Sequence, residues 1–113
     1  MTNFSHGQAA EAAAVEYLGQ QGFKILEQNY RTRYCEIDIV AGKGKVIYFV
    51  EVKYRMSNAQ GTGLDYITPK KLNQMKFAAK IWAQEHDCKG DYELSAIEVS
   101  GLDYKITEFI HQI

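Results

Sequence analysis

Two acidic residues and one lysine in the middle of the chain have the types and spacing that phosphodiester hydrolysis requires. Asp38 lies in the segment CEIDIVA, and Glu51 and Lys53 lie in the segment VIYFVEVKYR. Both segments are rich in β-branched and aromatic residues and flank a glycine-containing loop, which predicts a β-hairpin. Because side chains in a strand alternate between two faces, Glu51 and Lys53 should share one face of their strand. Glu36, Asp38 and Val40 should likewise share one face of the preceding strand.

The register of the hairpin decides whether the acidic side chains meet. If the loop is the four residues GKGK at 42–45, Glu36 lies opposite Glu51, and Asp38 lies opposite Phe49 with Glu51 as its diagonal neighbour. A three-residue loop would reverse the alternation and separate the carboxylates. With the four-residue loop, we expect all three acids and Lys53 to lie on one side of the sheet.

Clustered carboxylates in the middle of two strands repel one another, and a divalent cation relieves this repulsion. Mg²⁺ or Mn²⁺ takes hard oxygen ligands from one or two carboxylates and completes its octahedron with water and phosphate oxygens. A lysine beside the scissile phosphate then orients the nucleophile and stabilises the charge that develops in the transition state. The alternative is a solvated outer face of the sheet, on which Glu and Lys alternate for solubility. Glu36 is either a further acid of the site or a charge partner of Arg31 or Arg33.

The hydrophobic periodicity predicts the elements that must position these residues. An alanine-rich repeat ending near Gly22 predicts a helix, and Thr68 followed by Pro69 predicts an N-cap and the first residue of a second helix. The predicted helices are 7–22 and 69–85, and the predicted strands are 23–30, 35–41, 46–55, 91–100 and 104–113. This order, α-β-β-β-α-β-β, predicts one α/β domain over residues 1–113 with a mixed central sheet flanked by helices. The loop at 56–66 is long enough for a functional role.

Composition and charge narrow the class of protein. The chain has 113 residues with 46% hydrophobic and 24% charged residues, which is ordinary for a globular domain. No apolar run is long enough to cross a bilayer and the first residues lack a secretion signal, so we expect no membrane partner and a cytoplasmic location. Cys35 and Cys88 match no metal-ligand spacing and should be reduced thiols. Residues 56–80 carry four bases and one acid, whereas residues 81–113 carry two bases and seven acids. This asymmetry indicates either a phosphate-binding surface in the middle of the chain or a solvated face without a partner.

Four stretches resemble, in the same order, the motifs of a known bacterial family. They are GQAAEAAAVEYL, NYRTRYCEIDIV, FVEVKYR and ITPKKLNQM, and together they extend over most of the chain. They look like the motifs of the YraN-like family, which belongs to the restriction-endonuclease-like, PD-(D/E)xK nuclease superfamily and is similar to archaeal Holliday-junction resolvases. The resemblance implies a restriction-endonuclease-like fold and a metal-dependent endonuclease that acts on DNA.

Carried over position by position, the resemblance assigns roles to individual residues. It implies that Asp38 and Glu51 are metal ligands, that Lys53 is the catalytic lysine, and that Glu11 reaches into the site as a further ligand or water-orienting group. It also implies that Arg31, Arg55 and Lys71 contact phosphates. Lys70, another lysine of the basic second helix, is a further candidate for phosphate contact. Two departures from the family pattern are Cys35, where glycine is usual, and Asp91-Tyr92-Glu93, where Arg-Phe-Asp is usual.

The sequence leaves several functions open. A domain this small has little surface for reading base edges, so we expect recognition of DNA backbone and structure, and a homodimer if two strands are cut symmetrically. The alternatives are a nucleic-acid-binding or protein-interaction module whose acids hold no metal, and a structural protein that uses its acidic end as an interface. The tyrosines at 30, 34, 48 and 54 are either half-buried strand residues or surfaces on which bases stack.

Overall fold

The computed structural model of the chain describes residues 5–56 and 67–113, and its elements follow the predicted order of helices and strands. The helices are α1 (His6–Gln20) and α2 (Pro69–Glu85), and the strands are β1 (Lys24–Arg31), β2 (Glu36–Lys43), β3 (Val46–Arg55), β4 (Tyr92–Ser100) and β5 (Lys105–Ile110). Most of the predicted loop at 56–66 lies outside the described residues. No helix in the described ranges is long and apolar enough to span a membrane.

The five strands form one mixed sheet in the order β1-β2-β3-β4-β5. Neighbouring strands are antiparallel except β3 and β4, which are parallel. A parallel pair needs a long crossover connection, and α2 lies in the segment that joins β3 to β4. The predicted mixed α/β sheet with flanking helices is therefore confirmed.

The first helix covers one face of the sheet. Ser5 caps α1 by accepting a hydrogen bond from the backbone of Gln8, and the helix stops before Gly22, which has a φ of 90° that favours glycine. Ala10, Ala14 and Leu18 recur every four residues and are fully or almost fully buried. They pack against a core that includes residues of β2, β3 and β4. The small alanines let α1 approach the sheet closely, which brings its polar residues near the strands.

The second helix covers the opposite face. Thr68 is its N-cap and accepts a hydrogen bond from the backbone of Lys71, and Pro69 is its first residue, as predicted. Its inward stripe includes Met75, Ala79 and Trp82, which pack against a second core cluster made with β2, β3 and β4. Each face of the sheet is thus covered by one helix, and polar residues near either helix can reach the same end of β3.

The structure corrects the predicted register of the β2–β3 hairpin. Lys43 pairs with Val46, so the loop contains two residues instead of the predicted four, and Val40 pairs with Phe49. The predicted pairing of Asp38 with Phe49 is therefore wrong by two residues. The predicted loop is too long because Gly42 and Lys43 continue the strand, while Gly44, with a φ of 62°, forms the turn.

Candidate active site

The ladder between β2 and β3 stops at the point where the acidic residues begin. The last paired residues are Ile39 and Val50, although both strands continue beyond them. There the backbone N–H of Val52 donates a 2.8 Å hydrogen bond to Oδ2 of Asp38. The carboxylate therefore accepts a bond that a backbone carbonyl of β2 would accept in a continued ladder.

This departure from the ladder also breaks the predicted alternation of β2. Ile37 and Val40 both pack in the core cluster on the α2 face, although strict alternation would place them on opposite faces. The prediction that Glu36, Asp38 and Val40 share one face therefore does not hold along the whole segment. Asp38 meets β3 because its side chain reaches across to the neighbouring strand, and not because of its place in a regular pleat.

The carboxyl groups of Asp38 and Glu51 lie close enough to hydrogen-bond to each other. Burial, this hydrogen bond and the charge of Glu51 raise the pKa of Asp38 to about 8, and the hydrogen bond from Val52 acts in the opposite direction. A cation bound between the two carboxyl groups would offset the burial and the repulsion that raise the pKa of Asp38.

Glu11 brings a third carboxylate toward this pair from α1. Its Oε1 is buried and has no hydrogen-bond partner among the described residues. Burial and the charges of Glu36 and Glu51 raise its pKa. A buried, unsatisfied oxygen that feels two other carboxylates is a position where a cation or a donor group would be stabilising.

Lys71 supplies a cation from the opposite face of the sheet. Its Nζ lies 2.8 Å from Oε2 of Glu51, and the two side chains are 30% and 12% exposed. Burial alone would lower the pKa of Lys71, but the hydrogen bond and charge of Glu51, with the charge of Asp38, raise it overall. The sequence predicts a phosphate contact for this lysine, and the structure places it directly against a predicted metal ligand.

Cys35 also lies beside the acidic pair. Its thiol donates to the backbone oxygen of Gln74 in α2 at 3.4 Å. Burial raises the pKa of Cys35, the nearby Lys71 lowers it, and the charges of the surrounding acids raise it further. Its side chain thereby joins the start of β2 to α2.

Lys53 lies two residues beyond Glu51 on β3, so alternation places both on the same face of the strand. Its side chain is exposed, whereas Glu51 is largely buried. The predicted catalytic lysine is therefore exposed and shares its strand face with one member of the acidic pair.

The remaining predicted phosphate contacts differ in their surroundings. Arg31 is 80% exposed and forms a 2.6 Å ion pair with Glu36, which confirms one of the two roles expected for Glu36. Lys70 is exposed at the start of α2. Arg55, in contrast, forms a 2.6 Å ion pair with Glu98, and the two side chains are only 11% and 8% exposed. Its guanidinium is engaged inside the protein, so we do not include Arg55 in the proposed phosphate-binding set.

The acids approach one another without forming a complete metal cage. Within residues 5–56 and 67–113, no group of three or more His, Cys, Asp or Glu side chains is arranged to hold a metal ion. Mg²⁺, however, is commonly bound by one or two carboxylates together with substrate phosphates and water. The close pair of Asp38 and Glu51 fits that smaller requirement, and the unsatisfied oxygen of Glu11 could complete it. Their role as metal ligands stays a prediction.

A pocket of about 250 Å³ opens beside Glu11, between α1 and β1. Its lining residues are Gln8, Glu11 and Ala12 of α1 and Gln28 and Asn29 of β1. Asn29 has a φ of 56°, a conformation that Asn tolerates better than most residues. The pocket gives small polar molecules access to the side of α1 that carries Glu11.

Sequence reasoning misses two ion pairs of this region. The charge pattern groups Lys71 with the lysines on the outer side of α2, but it is spaced four, seven and eleven residues from the buried Met75, Ala78 and Trp82. A lysine at that helical spacing is the available signal for a partner inside the protein. The pair between Arg55 and Glu98 joins two parallel strands, and no local pattern predicts it.

Comparison with known proteins identifies the family. A model described as "Uncharacterised protein family UPF0102" matches residues 10–99. This range includes the acidic residues Glu11, Asp38 and Glu51 and the lysines Lys53 and Lys71. A UPF0102 protein of Sulfurihydrogenibium sp. (strain YO3AOP1) is 37% identical over 102 residues, covering 89% of each chain. One from Thermotoga neapolitana is 39% identical over 98 residues, covering 85% of this chain and 90% of the relative. One from Chlorobium chlorochromatii is 44% identical over 89 residues, covering 75% and 69%. The chain therefore belongs to the UPF0102 family, the YraN-like family that its motifs resemble.

Proposed function

We propose that this protein is a divalent-metal-dependent endonuclease of the PD-(D/E)xK type that hydrolyses DNA phosphodiester bonds and has a restriction-endonuclease-like fold. The observation that carries the proposal is the close contact of Asp38 and Glu51 at the end of the β2–β3 ladder, with the pKa of Asp38 raised to about 8. A carboxyl group with a strongly perturbed pKa beside a second carboxyl group is typical of sites that perform acid–base or metal chemistry.

The donor set fits Mg²⁺ or Mn²⁺. Asp38, Glu51 and Glu11 offer only hard carboxylate oxygens, and one of those oxygens is buried without a partner among the described residues. A divalent cation bound there would polarise the phosphodiester and make water a stronger nucleophile at neutral pH. Such a cation would also offset the burial and the repulsion between carboxylates that raise the pKa of both Asp38 and Glu11.

The two lysines have separate roles in this proposal. Lys53, exposed two residues beyond Glu51 on β3, stabilises the charge that develops on the phosphate during hydrolysis. Lys71, whose Nζ contacts Glu51, holds that carboxylate in place and is positioned to meet a phosphate oxygen of the substrate. Arg31 and Lys70 are exposed cations that would contact the DNA backbone and supply affinity without sequence preference.

The second candidate function is a non-catalytic nucleic-acid-binding or protein-interaction module on the same fold. The ion pair between Lys71 and Glu51 favours it, because an internal ammonium already neutralises one of the acids. In such a module the acids would hold no divalent cation, and the basic side chains would bind a partner alone.

Cleavage of labelled DNA tests the proposal directly. Linear, flapped and four-way DNAs are incubated with Mg²⁺ or Mn²⁺ and with the wild type, Asp38→Asn or Lys53→Ala; Lys105→Ala, an exposed lysine of β5, is the matched control. We expect cleavage by the wild type and the control, and a loss of about 100-fold or more in the other two variants. Cleavage that Lys53→Ala leaves unchanged would mean that another site, or a contaminant, is responsible.

Calorimetry distinguishes the two candidate functions. We expect Mn²⁺ to release heat on binding the wild type and to release little on binding Asp38→Ala. Equal heats from both proteins, or no heat from either, would favour the non-catalytic module.

A further inference from the structure

Two aromatic side chains next to the acidic site are exposed to solvent and contact each other. Tyr34, in the loop between β1 and β2, is 54% exposed, and Phe77, on α2, is 44% exposed. Their ring centroids are 5.4 Å apart and their planes meet at 77°. Tyr30, by comparison, is buried in the core. We call Tyr34 and Phe77 the aromatic platform.

Exposed cations surround the aromatic platform. The guanidinium of Arg33 lies 5.7 Å from the centroid of the Tyr34 ring. Lys70 and Lys80 are seven residues before and three residues after Phe77, so all three share one exposed face of α2. The only acidic residue of this helix is Glu85, its last residue. The surface therefore combines accessible aromatic rings with positive charge, which suits a polyanion that also carries planar groups.

The aromatic platform is connected to the acidic site through two short links. Tyr34 is followed by Cys35, whose thiol donates to the backbone oxygen of Gln74 and holds the loop against α2. Lys70 is followed by Lys71, whose Nζ contacts Glu51. The loop that carries Tyr34 and the helix that carries Phe77 are thus the same two elements whose residues Cys35 and Lys71 lie beside the carboxylates.

We propose that the aromatic platform stacks an unpaired nucleobase of a single-stranded DNA segment adjacent to the phosphodiester at the acidic site; this inference rests on the proposed function. Base stacking on exposed aromatic side chains, with cations along the backbone, is how single strands are bound without sequence preference. A base within a duplex is already stacked on both faces and cannot use the rings. The platform therefore selects substrates with a single-stranded arm, such as a flap, over continuous duplex.

Fluorescence anisotropy with a labelled oligothymidylate of about 12 nucleotides, measured in EDTA, tests the platform without cleavage. The full chain is compared with Tyr34→Ala, Phe77→Ala and Tyr34→Phe. Leu102→Ala is the matched control, since Leu102 is 76% exposed in the turn between β4 and β5. We expect about tenfold weaker binding by each alanine variant at the platform, wild-type binding by Tyr34→Phe and by the control, and weaker binding of the matched duplex by the wild type. Circular dichroism verifies that each variant is folded.

The outcomes separate the two proposals. The aromatic platform is overturned if Tyr34→Ala binds the oligothymidylate as tightly as the wild type does. It is also overturned if the duplex binds as tightly as the single strand. Both conclusions hold whatever the cleavage result. Stacking-dependent binding by a protein that cuts no DNA with Mg²⁺ or Mn²⁺ supports the platform and overturns the endonuclease proposal.

Discussion

Replacing Asp38 by asparagine should make the metal-free protein more stable at alkaline pH. The folded state raises the pKa of Asp38 to about 8, whereas an unfolded aspartate has a pKa of about 3.9. The protonated form is favoured by folding, so its contribution to stability is fully present below about pH 4 and is lost as the pH rises through about 8. Asparagine is neutral throughout and should remove this pH dependence.

The structure gives the size of the effect. For each pH unit between the unfolded and folded pKa values of Asp38, the free energy of unfolding falls by up to about 1.4 kcal/mol. Between about pH 5 and about pH 8, the wild type should therefore lose up to about 4 kcal/mol of this free energy because of Asp38. The amide oxygen of the introduced asparagine can still accept the hydrogen bond that Val52 donates to Asp38, and its amide nitrogen can donate to Glu51. The substitution therefore removes the charge with little change of shape.

Urea unfolding in EDTA, followed by the fluorescence of Trp82, measures this difference, because Trp82 is 5% exposed in the folded protein. Glu36→Gln is the control, since Glu36 forms an ion pair with the exposed Arg31 and its loss should change stability by less than about 1 kcal/mol. Equal loss of stability with rising pH in the wild type and in Asp38→Asn would refute the assignment of the raised pKa to Asp38.

Three further predictions concern the ion pairs and the helix cap. Arg55→Met should lower the free energy of unfolding by about 3–5 kcal/mol because the buried carboxylate of Glu98 loses its ion pair with Arg55. Urea unfolding measures this, and a loss below about 1 kcal/mol would contradict a buried pair. Thr68→Ala should lower the same free energy by about 1 kcal/mol because the backbone N–H of Lys71 loses its acceptor, while Thr68→Ser should resemble the wild type. Lys71→Met should bind Mn²⁺ about fivefold more tightly by calorimetry, because the ammonium no longer competes for its carboxylate partner. The exposed Lys70→Met serves as its control, and equal affinities in both variants would show that Lys71 does not compete.

The helices can be predicted closely because their signals are local. Thr68 and Pro69 mark the start of α2, and the structure begins that helix at Pro69 and ends it at Glu85, as predicted. The alanine-rich repeat places α1 within two residues of its true ends. Caps, glycines and a period of 3.6 residues are all contained in one segment of the chain, so no distant contact is needed to recognise them.

The register of the hairpin could not be predicted because strand alternation repeats every two residues. Gly42 and Gly44 both offer a turn, and moving the turn by two residues leaves every paired side chain on the same face. Wherever the ladder is regular, a two-residue and a four-residue loop therefore place each side chain on the same face of the sheet. Only the pairing of Lys43 with Val46 distinguishes the two, and that pairing depends on contacts between the strands.

The geometry of Asp38 was beyond sequence reasoning for a different reason. A regular pleat predicts that its side chain points away from the sheet, whereas it bonds to the backbone of Val52 on the next strand. The residue types predict that Asp38 and Glu51 meet, but the manner of their meeting depends on where the ladder ends. The same limit applies to Lys71, whose contact with Glu51 depends on how α2 lies on the sheet.

The hydrogen bond that Asp38 accepts does not by itself require a carboxylate at this position. The hydrogen bond from Val52 requires only an oxygen acceptor, which an amide would provide equally well. A carboxylate adds burial cost and repulsion from Glu51, and these raise the pKa of Asp38 to about 8. Lys71 offsets part of this charge through its ion pair with Glu51. A divalent cation bound at Asp38 and Glu51 would compensate the burial and the repulsion that otherwise make an ionised Asp38 costly in the folded protein.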